Sequence, residues 1–419
     1  VFKVTPTVQQ YDWGKLGSAS KVAVFAQSAG LSDFRVDETK PYAELWMGTH
    51  PKSPSFISAS GETLASYLSK NHSLIGEKVI QKFGAADGNL PFLFKVLAIE
   101  KALSIQSHPD KETARKLHAQ QPDIYKDPNH KPEMALAITP FAALCGFLPL
   151  THIATYLARV PELAALIPQA ILNNFLVIAP TADPTELVSK QSLRDVFSAV
   201  MTAQANTFTN QLSELTARYE TGSVHPEEED VRELVLRLNA QFPNDIGIFC
   251  AFLLNYVKLS PGEAIFLGAG EPHAYISGAD IIECMANSDN VIRAGLTPKL
   301  RDIPNLVDTL TYVAAPASRH AVKPLPFPGA LTSTLYDPPI SEFSVVSVTL
   351  APSQTEAHRA LDGPSIAIIA GGEGKLRWGG TSLDITRGEV VFIGAGTAIN
   401  ISATGNGEEL KIYRAFVEA

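Results

Sequence analysis

The period of the apolar residues divides the chain. Over residues 1–55, short apolar runs such as "VAVFAQ" and "YAELWMG" are separated by polar turns and read as strands. Between residues 60 and 83, Leu64, Leu68, Leu74, Ile75 and Val79 recur at roughly helical intervals. The gap after Leu68 is wider than one helix face predicts, so two short amphipathic helices fit as well as one. "LPFLFKVLAIEKALSIQSHP" then returns to alternation, with Leu103, Ile105 and Ser107 on one face and Ser104, Gln106 and His108 on the other. From about 150 to 256 the pattern is helical, and acidic residues crowd the first turn of "PEEEDVRELVLRLNAQF", where the helix dipole favours them. After Pro261 the chain is β-rich again, broken repeatedly by Gly, Pro, Asn and Asp.

An internal echo organises the β-rich parts. "GEAIFLGAGEPHAYIS" at 262–277 returns as "GEVVFIGAGTAINIS" at 388–402, and each predicts a turn, a strand, a Gly-rich turn and a second strand. Only the first copy carries a histidine, His273. Two related β units follow, one active and one structural, and a doubly wound α/β fold is disfavoured. The predicted fold is mainly β with substantial α. Residues 1–149 and 257–318 form a first β domain with attached helices, 150–256 a helical insert, and 319–419 a second β domain.

Composition narrows the function. The 419 residues are 45% hydrophobic and 18% charged, enough for two or three domains. A formal charge of -9 disfavours a broad nucleic-acid groove or an anionic membrane surface, yet a few local Lys and Arg residues can still gather a small anion. Cys145, Cys250 and Cys284 are far apart and form no CxxC pair, so they read as reduced, buried thiols. "VFKVTPTVQQYDWG" lacks the pattern of a secretory signal, and the apolar run "IGIFCAFLLNYV" is too short to span a bilayer. A cytosolic (cytoplasmic) location is expected.

The candidate chemistry is distributed. Gln106 and His108 share a strand face; "NHKPEMALAI" adds His130, Lys131 and Glu133; His273 opens "HAYIS". One glutamine, two histidines and a glutamate suit a mixed oxygen–nitrogen metal shell. Each has a structural alternative: Gln106 capping a turn, His108 satisfying a backbone group, Glu133 solvated with His130 as the ligand instead. In "DIIECMANSDNVIRAGLTPKLRD", Glu283 is a candidate acid or base and Arg293 a candidate binder of phosphate or of developing oxygen charge, against a turn-stabilising salt bridge. Lys95, Ser104 and Lys299 are candidate phosphate contacts, or else strand-end, turn and surface groups. No HExxH helix, nucleophile elbow, Rossmann fingerprint or GxxxxGK loop is present.

Taken together, "YDWGKLGSAS", "YAELWMGTHP", "LPFLFKVLAIEKALSIQSHPDK", "NHKPEMALAI", "GEAIFLGAGEPHAYISG" and "ECMANSDNVIRAGLTPK" closely resemble the type I phosphomannose isomerases. The resemblance implies two cupin-like jelly-roll barrels, the second degenerate, plus the helical insert. It implies one zinc ion per chain on Gln106, His108, Glu133 and His273, and an active-site arginine at Arg293. The expected reaction is reversible interconversion of mannose 6-phosphate and fructose 6-phosphate through a cis-enediol, with Glu283 or Lys131 moving the proton. Trp13 and Tyr275 are expected to wall the pocket, with Lys95, Ser104 and Lys299 contacting the phosphosugar. The partner is then a small anionic hexose phosphate bound by a monomer. A non-catalytic phosphosugar-binding cupin and a different metal-dependent cupin enzyme are the alternatives.

Overall fold

The computed structural model describes residues 1–419 except 32, 33, 277 and 406. Its strands form two β-sandwiches. In the first, a seven-stranded sheet runs in the order Ala321–Val322, Ala264–Leu267, Glu133–Ala137, Ala279–Ala286, Phe92–Ile99, Glu44–Met47 and Thr7–Gln9. It faces a five-stranded sheet ordered Leu254–Leu259, Phe141–Phe147, His273–Tyr275, Ile105–Ser107 and Ile292–Gly295. Leu97, Ile99, Ala135, Ala143, Leu267 and Ile281 pack between the two. These are open sandwiches of separate sheets, in agreement with the cupin-like jelly-roll arrangement expected from the sequence.

The larger sheet is covered on its other face as well. Phe94, Val96, Met134, Leu136 and Ile282 pack there with Val345, Ile366, Ile368 and Val390 of the second sandwich. Double coverage explains why Phe92–Ile99 and Ala279–Ala286 are buried at every position rather than at alternate ones. Truncating Ile282 to Ala would leave a cavity costing roughly 2–5 kcal/mol. The second sandwich, an eight-stranded sheet against a four-stranded one, has Val346, Val348, Ile369, Ile385, Val391 and Ile401 in its core. The first strand of the chain, Phe2–Thr5, joins this distant sheet, with Phe2 opposite Phe392 and Val4 opposite Val390.

The two echoed segments follow the same path. Ala264–Leu267 lies in the large sheet of the first sandwich and His273–Tyr275 in the small one; Val390–Ile393 and Ile399–Ala403 make the same crossing in the second. Even the turns match: Gly270 and Gly396 have φ of 72° and 73°, a left-handed conformation that a side chain would strain.

One expected strand is a helix. "VAVFAQ" lies within the helix Lys21–Ser28, where Val22, Ala23, Phe25 and Ala26 are buried at i, i+1, i+3 and i+4. Ser20 caps it, its Oγ accepting from the Ala23 N–H, a contact worth about 1 kcal/mol. A short apolar run carries no period of its own, and here cap and tertiary contact decided. Residues 60–83 make two helices, Leu64–Lys70 and Glu77–Phe83, separated by a single 3-10 turn. The region from Leu150 to Gln241 is helical and leads into a 3-10 segment, Ile246–Phe252. Its core of Phe197, Leu215, Leu234 and Phe249 continues into Leu144 and Ile292 of the five-stranded sheet. Among the described residues no helix is long and apolar enough to cross a membrane. The three cysteines are free and buried, and burial pushes the Cys145 thiol up to about 12, which makes it a poor nucleophile.

Candidate metal centre and active site

Strand register builds one row of the site. His273 lies directly opposite Gln106, and Gln106 opposite Arg293, so all three side chains leave the same face of the five-stranded sheet. His108 follows two residues beyond Gln106. Glu133 reaches in from the facing sheet at the start of its strand. His108 Nε2 lies 3.4 Å from Glu133 Oε1, and His273 Nε2 lies 3.4 Å from Glu133 Oε2. One ligand atom from each residue falls within 4.8 Å of the others, and the three residues are buried.

The hydrogen bonds fix which nitrogens are free. His108 Nδ1 is 2.7 Å from the Asn290 carbonyl, and His273 Nδ1 is 2.9 Å from the Glu271 carbonyl. A carbonyl can only accept, so each Nδ1 carries the proton and each Nε2 turns a lone pair toward Glu133. Neither Nε2 has a hydrogen-bond partner, nor does Glu133 Oε2. Burial lowers the His108 pKa to about 4, against the pull of Glu133, and keeps the imidazole neutral. Burial also opposes the Glu133 charge, but Lys131, 3.1 Å from Oε1, leads the groups that hold its pKa well below the usual carboxylate range. Three buried acceptors facing one another without a proton between them repel unless a cation sits there. Two imidazole nitrogens, a carboxylate and a neighbouring amide form a donor set that suits zinc.

Beside this cluster opens a cavity of about 650 Å³, bordered by Gln106, Glu133, Lys131, Glu283, Lys95 and Arg293. Trp13, Ser104 and Lys299 border it too. Glu283 and Lys95 are register partners, and the Lys95 Nζ donates to Glu283 at 2.9 Å. It also lies 3.6 Å from Glu44 and 5.0 Å from the centre of the Trp46 ring. Burial penalises the Lys95 charge, yet Glu283, Glu44 and Glu133 together raise its pKa, so the ammonium is firmly held. Burial raises the Glu283 carboxyl, and Glu133 and Glu44 add to this against Lys95 and Lys131. Among the described residues Arg293 has no charged partner to offset burial, which lowers its pKa; its guanidinium remains a cation facing the cavity.

Two expected residues stand outside the cavity lining. Tyr275 does not border the cavity: it is buried between Phe141 and His273, its ring 5.5 Å and 6.4 Å from theirs. Its neighbour Ala274 faces the helical core, so strand alternation puts Tyr275 on the same inward face as His273, on the side of Phe141, with Glu283 and Glu133 adding to the burial that raises its pKa. His130, the alternative ligand, bonds Glu342 at 2.5 Å and stands outside the cluster.

Other contributors left little trace in the sequence. Asn290 and Glu271 orient the histidines through main-chain carbonyls, which every residue type possesses. Glu44 and Trp46 were legible in principle, since they alternate in "YAELWMG" and share the face that meets Lys95. His50 borders the cavity 3.5 Å from Asp289, which Lys52 also pairs at 2.8 Å.

An open two-sheet sandwich with a buried pair of histidines and a carboxylate beside a polar cavity defines a cupin-type metal-site protein. Comparison with known proteins narrows this. Models of the type I phosphomannose isomerases match as a catalytic domain over residues 1–150, a helical insertion domain over 175–254 and a C-terminal region over 333–381. The mannose-6-phosphate isomerase of Cryptococcus neoformans is 47% identical, the alignment covering 100% of this chain and 99% of the relative. That of Saccharomyces cerevisiae is 46% identical at the same coverage. The crystal structure of apo mannose 6-phosphate isomerase from Salmonella typhimurium superposes with a TM-score of 0.81 at 33% identity, covering 100% of this chain and 99% of that one. A zinc-bound mannose 6-phosphate isomerase structure gives the same values. The chain belongs to the type I phosphomannose isomerase family.

Proposed function

We propose that this chain is a zinc-dependent isomerase that interconverts mannose 6-phosphate and fructose 6-phosphate. The observation that carries the proposal is the convergence of His108 Nε2, His273 Nε2 and Glu133 Oε2, buried and unpartnered among the described residues, beside a cavity that Arg293 faces with no ion partner among them. His108, Glu133 and His273 would hold one zinc ion, with Gln106 completing the set. Zinc supplies Lewis-acid polarisation of substrate oxygens when bound.

The chain's own groups account for the proton. Aldose–ketose exchange moves a proton from C2 to C1 through a cis-enediol, with no net oxidation. Glu283 takes that role: its carboxyl is raised toward the range where one group can both accept and return a proton, and Lys95 keeps it oriented. Lys131 is the competitor, though its contact with Glu133 gives it a second duty. Arg293 stabilises oxygen charge or orients the phosphate, and Ser104 and Lys299 support the phosphate from the cavity rim. Trp13, which stacks on Tyr11 at 5.8 Å, walls the sugar. Lys95 acts through Glu283 more than through direct sugar contact. We further infer a monomer in the cytosol, divided into a first β domain, a helical insert and a second β domain, in keeping with three free buried thiols and the run of helices from Leu150.

NMR analysis of products from zinc-loaded protein with mannose 6-phosphate tests this, alongside a chelated sample. Fructose 6-phosphate that disappears on chelation and returns with zinc is the expected result. Binding without conversion would leave a phosphosugar-binding module, and conversion that survives complete metal removal would sink the zinc assignment.

A further inference from the structure

The end of the helical insert grips both rims of the cavity. Gln241 Oε1 accepts the Ala102 N–H at 2.9 Å, and the next residue, Phe242, receives the Lys101 ammonium 4.2 Å from its ring centre. This holds the rim that continues into Ser104. Three residues further on, Asp245 gathers three backbone N–H groups. Its Oδ1 accepts from Gly247 at 2.7 Å and Leu296 at 2.8 Å, and its Oδ2 accepts from Thr297 at 3.1 Å. The second rim, which follows Arg293 and runs to Lys299, is thereby tied to the first.

The backbone around Asp245 is committed to this grip. Leu296 has φ of 55°, a left-handed conformation that its side chain disfavours and that persists only where surroundings impose it. Gly247 and Gly295 approach so closely that a Cβ on Gly295 would lie 2.5 Å from the Gly247 Cα. A carboxylate receiving three N–H groups with a glycine contact beneath it is a fixed joint rather than a surface turn.

We infer that residues 241–247 form a clasp in which Asp245, with Gln241, is a positioning residue: it sets the spacing between the Ser104 rim and the Arg293–Lys299 rim and so the affinity for an anionic group. The helical insert thereby acquires a part in substrate recognition. The inference rests on the phosphosugar reading for the identity of the anion but not for its existence.

Asp245→Ala and Gln241→Ala provide the test, read by kcat and KM for mannose 6-phosphate, zinc content, and calorimetric binding of inorganic phosphate. Asp245→Ala should raise KM and the phosphate Kd together by about tenfold, with kcat within about threefold and zinc unchanged. Gln241→Ala, which removes one hydrogen bond, should raise both by about threefold. Asp245→Asn, which keeps an acceptor oxygen, should fall between Asp245→Ala and wild type, and it replaces Asp245→Ala if that variant does not fold. A fall in kcat with KM and phosphate Kd unchanged would overturn the clasp, as would no change in any of them. Wild-type protein that fails to isomerise would defeat the functional reading alone, since the phosphate Kd still reports on the clasp.

Discussion

Both sandwiches bury a histidine–glutamate cluster, and the two clusters are opposites. In the second, Glu356 accepts from Leu331 N at 2.9 Å, Thr332 N at 2.6 Å and the Thr332 hydroxyl at 2.9 Å, and it is also bonded by Ser333. His358 Nε2 lies 3.1 Å from the same carboxylate, while its Nδ1 faces Arg414 NH1 at 3.3 Å. Guanidinium groups only donate, so Nδ1 accepts and the Nε2 proton goes to the acceptors around it. Among the described residues, no buried polar atom of Glu356, His358, Ser333 or Arg414 is left without a partner. In the first sandwich the Nδ1 protons are spent on carbonyls, and the remaining lone pairs converge without one. A buried polar cluster is structural when donors match acceptors; an excess of acceptors at one point calls for a cation.

The strongest challenge to this contrast removes a ligand. His273→Ala should lose zinc and lower turnover on the order of 10⁴-fold, as expected when several kcal/mol of transition-state stabilisation disappear. Normal metal content and normal turnover would erase the distinction between the clusters. Glu283→Gln comes next: turnover should drop about 10³-fold with zinc retained and C2-proton exchange suppressed. Exchange at the wild-type rate would hand the proton to Lys131.

The second cluster should reveal itself in stability instead. Burial, followed by Arg414, lowers the His358 pKa from 6.5 to about 4. Between those values the unfolded chain binds a proton that the native imidazole refuses. The His358 contribution is therefore complete above pH 6.5 and lost as pH falls toward 4. Over that range the stability advantage of wild type over His358→Gln in urea unfolding should shrink by up to ~3 kcal/mol. An advantage that stays constant with pH would mean that His358 titrates normally. The Glu356 carboxyl runs in a lower window: hydrogen bonds from Ser333 and Thr332 overcome burial and hold it at about 2, so its stabilisation is present above 4.5 and fades below. Smallest of all, Ser333→Ala should cost about 1–2 kcal/mol while leaving zinc content and turnover within about twofold. A large loss of turnover would show that the two sandwiches are coupled.

How much of this was legible in the chain varied with the range of the interaction. Gln106 and His108 were placed on one face by alternation alone, and the matched Gly-rich turns identified the repeated unit. "VAVFAQ" misled because a run with no polar interruption has no period, and its helix depends on Ser20 and on packing. Tyr275 was assigned to the cavity by its place in a chemical segment; it shares the inward face of His273, but packing against Phe141 and the histidine keeps it out of the lining. Lys95 read as a candidate phosphate contact, with a strand-end role as the alternative; the register of three strands makes it the buried partner of Glu283 and Glu44.

Local order, the candidate ligands and the kinship of the two β units were determined by the sequence itself, because periodicity, turn chemistry and residue type act over a few positions. Register and facing decided the rest. Only the folded sheets bring Glu133 between His108 and His273, turn Arg293 toward the cavity and raise the Glu283 carboxyl. Those properties belong to distances between side chains far apart in the chain, and such distances exist only once both sandwiches have closed over their cores.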